Sequence, residues 1–177
     1  MRPAICLIGI LYVCCALNLP AAETAGDRMF ERLKGLAGEW EGTFEWSQGR
    51  NASGELKATY YLTGNGSALV ENLIMDGVPA MTTVYHLDGA DIRMTHYCAA
   101  KNQPRLKAKR IDESAAEIEF SLVDVTNVNP KSRGYVDGFL IQFPETDHLN
   151  LRFTFGSGTG KGPIESITLK RVAAAHS

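Results

Sequence analysis

Gly38-Glu39-Trp40-Glu41-Gly42 is the stretch on which the reading of the fold turns. A glycine two residues to either side of a tryptophan leaves the backbone open to close approach, because neither glycine carries a Cβ. That spacing lets an indole ring lie across the closed end of a small β-barrel. Upstream, Met29, Phe30, Leu33 and Leu36 recur at helical spacing, with Asp27 placed to cap the N-terminus. The expectation is one short amphipathic helix that leads into the first strand.

Downstream of Gly42 no segment keeps a helical period. The pattern predicts strands over 39–46, 54–62, 68–76, 80–87, 91–98, 105–112, 116–124, 135–143, 148–155 and 164–172. Turn residues separate them: Asn65-Gly66, Asp76-Gly77, Asp88-Gly89, Pro144 with Asp147, and the glycines from Gly156 to Gly162. Alternation is clearest at Leu149, Leu151, Phe153 and Phe155, and again at Ile118, Phe120 and Leu122. Ten short strands at hairpin spacing predict an all-β, antiparallel up-and-down barrel with a short N-terminal helix, since closure removes exposed sheet edges. A β-sandwich is the competing architecture.

The N-terminus reads as a leader. Arg2 is followed by an apolar run from Ala4 to Leu17, too short to span a bilayer, and by the small residues Ala21-Ala22. Residues 1–22 are therefore expected to be a signal peptide and 23–177 one barrel domain, secreted or periplasmic. Of 18 basic residues only Arg2 leaves with the leader, so 17 face 20 acidic ones, a net charge of −3. Such a chain has no long-range attraction for nucleic acid or for a membrane surface once the leader is gone. Three of the four cysteines also leave, which makes Cys98 a lone thiol in a domain without an internal disulfide.

The Gly38–Gly42 motif after a short helix, and the ten-strand rhythm through Arg171, resemble the lipocalin-like (calycin) barrels. Within them the nearest group is the nitrobindin type, with related uncharacterised bacterial secreted domains that share a block like His96-Tyr97-Cys98 and Asn102-Gln103-Pro104-Arg105. The resemblance implies a cavity for a small molecule. In nitrobindin-type proteins it further implies a haem held by a histidine of the last strand. Here Ile164 to Arg171 contains no histidine, and His148 opens the strand before it.

Chemistry-bearing residues concentrate between 85 and 105. On an extended strand Met94, His96 and Cys98 share one face, and His86 across the Asp88-Gly89 turn offers a third ligand. His86, His96 and Cys98 form a candidate soft metal set for zinc or copper. Packing alone explains the same residues as a core histidine and a buried thiol. As a nucleophilic pair, His96 and Cys98 lack a readable oxyanion device, so the sequence leans away from an enzyme. Asn102, Gln103 and Arg105 around Pro104 are candidate rim groups for a ligand, and Arg152 is a second candidate anion contact. Tyr85 and the phenylalanines supply aromatic area for a lining or for a filled core.

The run from Gly156 to Gly162 fails the phosphate-loop pattern, because Phe155 and Gly162 stand where Gly and Ser or Thr are required. Arg105, Lys107, Lys109 and Arg110 face a run of acids, Glu113, Glu117 and Glu119, on the next predicted strand, which favours ion pairing on a solvated face. The reading is a secreted barrel for an apolar or amphipathic small molecule with an acidic head group, without a resident cofactor. The alternatives are a haem or transition-metal barrel and a filled structural barrel.

Overall fold

In the computed structural model, which describes residues 22–129, 134–156 and 161–173, the chain opens on a helix, α1 (Ala25–Lys34). Thr24, not Asp27, is its N-cap: Thr24 Oγ1 accepts the Asp27 backbone N–H at 3.1 Å, and Asp27 Oδ2 accepts that of Thr24 at 2.8 Å. Asp27 is thus the inner member of a capping box, one turn inside the expected position. Met29, Phe30 and Leu33 form the buried face, as their spacing predicts. Most of the expected leader and the centres of the 127–134 and 156–162 loops lie outside the described residues.

Ten strands follow: β1 (Gly38–Ser47), β2 (Ala52–Thr63), β3 (Ala68–Met75), β4 (Val78–Asp88), β5 (Asp91–Tyr97), β6 (Gln103–Asp112), β7 (Glu117–Thr126), β8 (Tyr135–Glu145), β9 (His148–Gly156) and β10 (Lys161–Arg171). Each pairs antiparallel with its chain neighbours, and β10 pairs with β1 to close the barrel. This is the predicted architecture, with strand ends shifted by up to three residues. At Asp76-Gly77 both residues have positive φ, 52° and 77°, as a tight primed hairpin turn requires.

The Gly38–Gly42 motif acquires a specific role. Gly38 has φ of 131°, where the chain swings from the helix into β1. At Gly42 a Cβ would sit 1.9 Å from the Thr168 carbonyl oxygen, so only glycine lets β10 approach β1 there. Trp40 between them is 1% exposed and donates its indole N–H to Leu36 O at 2.8 Å. Arg171 at the end of β10 stacks on that ring at 4.3 Å and donates to the carbonyls of Ala37 and Gly35. Around Trp40 the helix end of the barrel is therefore packed, with the indole N–H and the Arg171 guanidinium both hydrogen-bonded.

Inward positions of the strands alternate with outward ones, which gives an apolar interior. Its middle is an aromatic layer. Phe139 stacks on Phe153 at 4.5 Å, while Phe120 and Tyr85 lie 5.6 and 6.5 Å from Phe139. On the outer face, Lys109 pairs with Glu119 and Arg110 with Glu117 across β6 and β7, the ion pairing that the charge pattern predicts. No helix among the described residues is long and apolar enough to cross a membrane.

Candidate functional site

The antiparallel topology places the ends of β1, β5 and β9 and the starts of β8 and β10 at the loop end, opposite the helix. Register then assembles a group of inward side chains. Glu165 on β10 pairs with Trp46 on β1 and with Phe153 on β9. The His96 ring of β5 lies 5.3 Å from that of Phe153. Cys98 follows in the β5–β6 turn, where its N–H donates to Asn102 O at 3.1 Å. Asn102 in turn donates its Nδ2 to Gly134 O at 2.7 Å and braces the start of β8.

Several polar atoms of this group are buried and unpaired. They are His96 Nε2, Asn102 Oδ1 and both carboxylate oxygens of Glu165. Arg93 Nε, outside the group, also lacks a hydrogen bond, yet it lies 2.6 Å from Asp88 Oδ2 and is ion-paired. Burial without a donor lifts the Glu165 carboxyl from its ordinary 4.5 to about 7. The Arg50 charge and the Trp46 indole pull the other way, although neither closes a hydrogen bond to it. Desolvation lowers His96 to about 4, so its ring is neutral near neutral pH. Burial pushes the Cys98 thiol up, assisted by the charge of Glu165, and keeps it protonated.

A second buried carboxyl lies deeper. Glu71 on β3 is fully buried, and its Oε2 accepts the hydroxyls of Tyr60 and Tyr85, each at 2.9 Å. Its Oε1 accepts Thr83 Oγ1–H at 3.2 Å, and Thr83 Oγ1 lies 2.9 Å from His96 Nδ1. Burial raises the Glu71 pKa, and these three hydrogen bonds lower it. With all three hydroxyls donating to Glu71, Nδ1–H of His96 must donate to Thr83. With Glu71 ionised, the chain sets the ring tautomer and leaves Nε2 as an acceptor.

The structure sorts the residues singled out from sequence. His96, Cys98 and Asn102 come together at the loop end, and Tyr85 belongs to the Glu71 network beneath them. Gln103 and Pro104 are corrected from rim loop to strand: β6 begins at Gln103, two residues before the predicted start at Arg105, since the β6–β7 ladder reaches Gln103. Gln103 Oε1 accepts from Thr126 and Asn127. Arg105 points outward into a two-pronged pair with Asp124, at 2.5 and 2.6 Å. Arg152 is exposed in a surface groove with Asp137 and Thr154.

His86 occupies the phase opposite to Tyr85 and shares an outer-face groove with Arg93 and Arg105. The set His86, His96 and Cys98 is therefore not assembled, because one-residue alternation sends His86 through the sheet. Among the described residues, the group of metal-type ligands close enough to share an ion is Glu145, Asp147 and His148, at the helix end. Among the described residues, the loop end does not bring three such ligand atoms within 4.8 Å of one another. Glu71 and Glu165 were missed from sequence. Their signal was a carboxylate in inward phase, between Leu69 and Leu73 and next to Ile167 and Leu169.

No protein-family model matches the chain, and no curated protein matches it. Solved structures do resemble it. Rv2717c from M. tuberculosis superposes with a TM-score of 0.59 at 14% identity, over 82% of this chain and 98% of that one. A protein of unknown function from the DUF3598 family of Nostoc punctiforme gives a TM-score of 0.54 at 13% identity, over 79% of this chain. The match spans 48% of that protein's length. At these identities the likeness establishes the β-barrel fold alone.

Proposed function

We propose that this barrel is an exported binder of a small apolar or amphipathic molecule, held at the loop end against Trp46 and Phe153. The observation that supports it is the set of unpaired buried atoms on His96, Asn102 and Glu165. Buried polar atoms are normally hydrogen-bonded, and each orphan costs about 1–3 kcal/mol. Such a concentration at one end, beside aromatic walls, fits a site completed by a ligand. The leader-like N-terminus and its small-residue cleavage site favour export.

Native mass spectrometry of the protein purified from its secretory compartment tests this reading. Trp46 gives a second readout, since Trp40→Phe leaves it as the sole indole of the chain. A retained small-molecule mass, lost together with a change in Trp46 fluorescence on solvent extraction, is the expected result. A bare polypeptide whose Trp46 emission no apolar probe alters would sink it. The unpartnered Nε2 of His96 favours one second reading, a haem seated there. That reading predicts a visible absorption band that His96→Phe abolishes.

A further inference from the structure

The unpaired atoms at the loop end share one chemical character. Glu165, 1% exposed, presents two oxygens, Asn102 presents Oδ1 after its Nδ2 is engaged, and His96 presents the Nε2 lone pair. All are acceptors when Glu165 is ionised. The candidate anion contacts Arg105 and Arg152 lie on the outer face, and the cation whose charge reaches Glu165, Arg50, is exposed and held over the Trp46 ring. Resting on the binding reading above, we infer that the ligand carries a cationic nitrogen, an amine on an apolar or aromatic body, whose N–H groups pair with Glu165 and its acceptor neighbours.

An ammonium supplies three donors and one positive charge, which matches a carboxylate flanked by neutral acceptors. A carboxylate ligand would instead bring a second negative charge beside an ionised Glu165, and even against its protonated form would leave His96 Nε2 and Asn102 Oδ1 unpaired. A hydroxyl would satisfy one acceptor and leave the charge buried. The groups that act on Glu165 are Arg50 from the β1–β2 loop, Cys98 from the β5–β6 turn and the Trp46 indole, its cross-strand partner on β1. Arg50 is exposed and lies on the Trp46 ring at 3.9 Å, without a hydrogen bond to the carboxylate. Cys98 stays a thiol and His96 stays neutral at moderate pH.

Proton release follows. At about pH 6 the free carboxyl holds its proton, and an ammonium that ionises it expels that proton; at about pH 8.5 none remains to expel. Isothermal titration calorimetry of the full mature chain with phenylpropylamine, phenylpropanol and phenylpropanoate, in buffers of different ionisation enthalpy, reads affinity and protons together. The amine should bind about tenfold or more tighter than the alcohol, the acid should not bind measurably, and about one proton should leave per amine near pH 6. Glu165→Gln should equalise amine and alcohol and abolish the release.

The wild-type comparison needs no variant, so a misfolded Glu165→Gln cannot blur it. If the acid binds best, or amine and alcohol bind alike without proton release, the cationic assignment falls while the binding reading stands. If none of the three binds, water pairs these atoms and both fall.

Discussion

Trp40 and Trp46 lie on the same strand and in the same inward phase, yet they sit in opposite kinds of environment. At the helix end Trp40 has its N–H bonded to Leu36 O, its edge against Tyr60 at 6.2 Å, and Arg171 over its face. At the loop end Trp46 packs on Phe155 at 5.0 Å, beside a carboxylate whose two oxygens have no donor. One end satisfies every polar group that it buries around the indole. The other keeps an energetic debt of orphaned acceptors. The contrast separates the part of the barrel that holds the fold from the part where a partner would improve it.

Trp40→Ala gives the largest expected effect. It removes a fully buried ring together with the platform for Arg171, and should cost about 3–5 kcal/mol in urea unfolding. Trp46→Ala should be the milder of the two, because that ring sits at the rim and is 9% exposed. Equal losses would erase the distinction between the ends.

The next effects come from titration at the loop end. Glu165, at about 7 against an ordinary 4.5, keeps its proton in the folded chain where the unfolded chain has lost it. The folded state binds more protons across that window, so stability falls as pH rises through it. Glu165→Gln should therefore gain about 2–3 kcal/mol on the wild type between those pH values, at about 1.36 kcal/mol per pH unit with some screening. His96 runs the other way. Its folded value of about 4 lies below the ordinary 6.5, so the unfolded chain binds more protons and stability falls as pH drops from 6.5 to 4. The two slopes oppose each other in the wild type, and His96→Phe should unmask the Glu165 slope alone. Unfolding curves with the same pH dependence in wild type and both variants would show that neither group is buried as described.

A subtler test reaches the Glu71 network. Glu71→Gln keeps the shape but can present an N–H to Thr83 while its carbonyl accepts the two tyrosine hydroxyls. Thr83 would then donate to His96 Nδ1, and the ring proton would move to Nε2. Nitrogen NMR of the imidazole should show the tautomer exchanged, with little change in melting. An unchanged tautomer would mean that Glu71 does not govern His96, and the loop end would lose its connection to the core.

The barrel was legible because its signals are local: Gly38 and Gly42 around Trp40, the Asp76-Gly77 turn, and alternation in the aromatic strands each act within a few residues. The site was only half legible. His96, Cys98 and Asn102 stand close in sequence and remain close in space across one turn. Glu165 joins them only through the β9–β10 and β1–β10 registers, which no short stretch encodes. Arg105 and His86 attracted attention by residue type, but their phase within the strand decides that they face outward. A carboxylate in an inward phase was the stronger sign, and residue type alone hides it.

Arg105 supplies the smallest expected effect and the cleanest check on which face matters. Its side chain is half exposed and fully engaged by Asp124, and exposed pairs of this kind contribute little to stability. Arg105→Ala should leave the melting temperature within experimental scatter, and Asp124→Ala should behave in the same way. Neither should alter the affinity of any ligand bound at the loop end, because the pair lies on the solvent side of the β6–β7 ladder. The same titrations should respond strongly to Glu165→Gln. If instead Arg105→Ala weakens binding and Glu165→Gln does not, the ligand sits outside the barrel on the face shared with His86. The unpaired acceptors within would then be a matter of hydration rather than recognition.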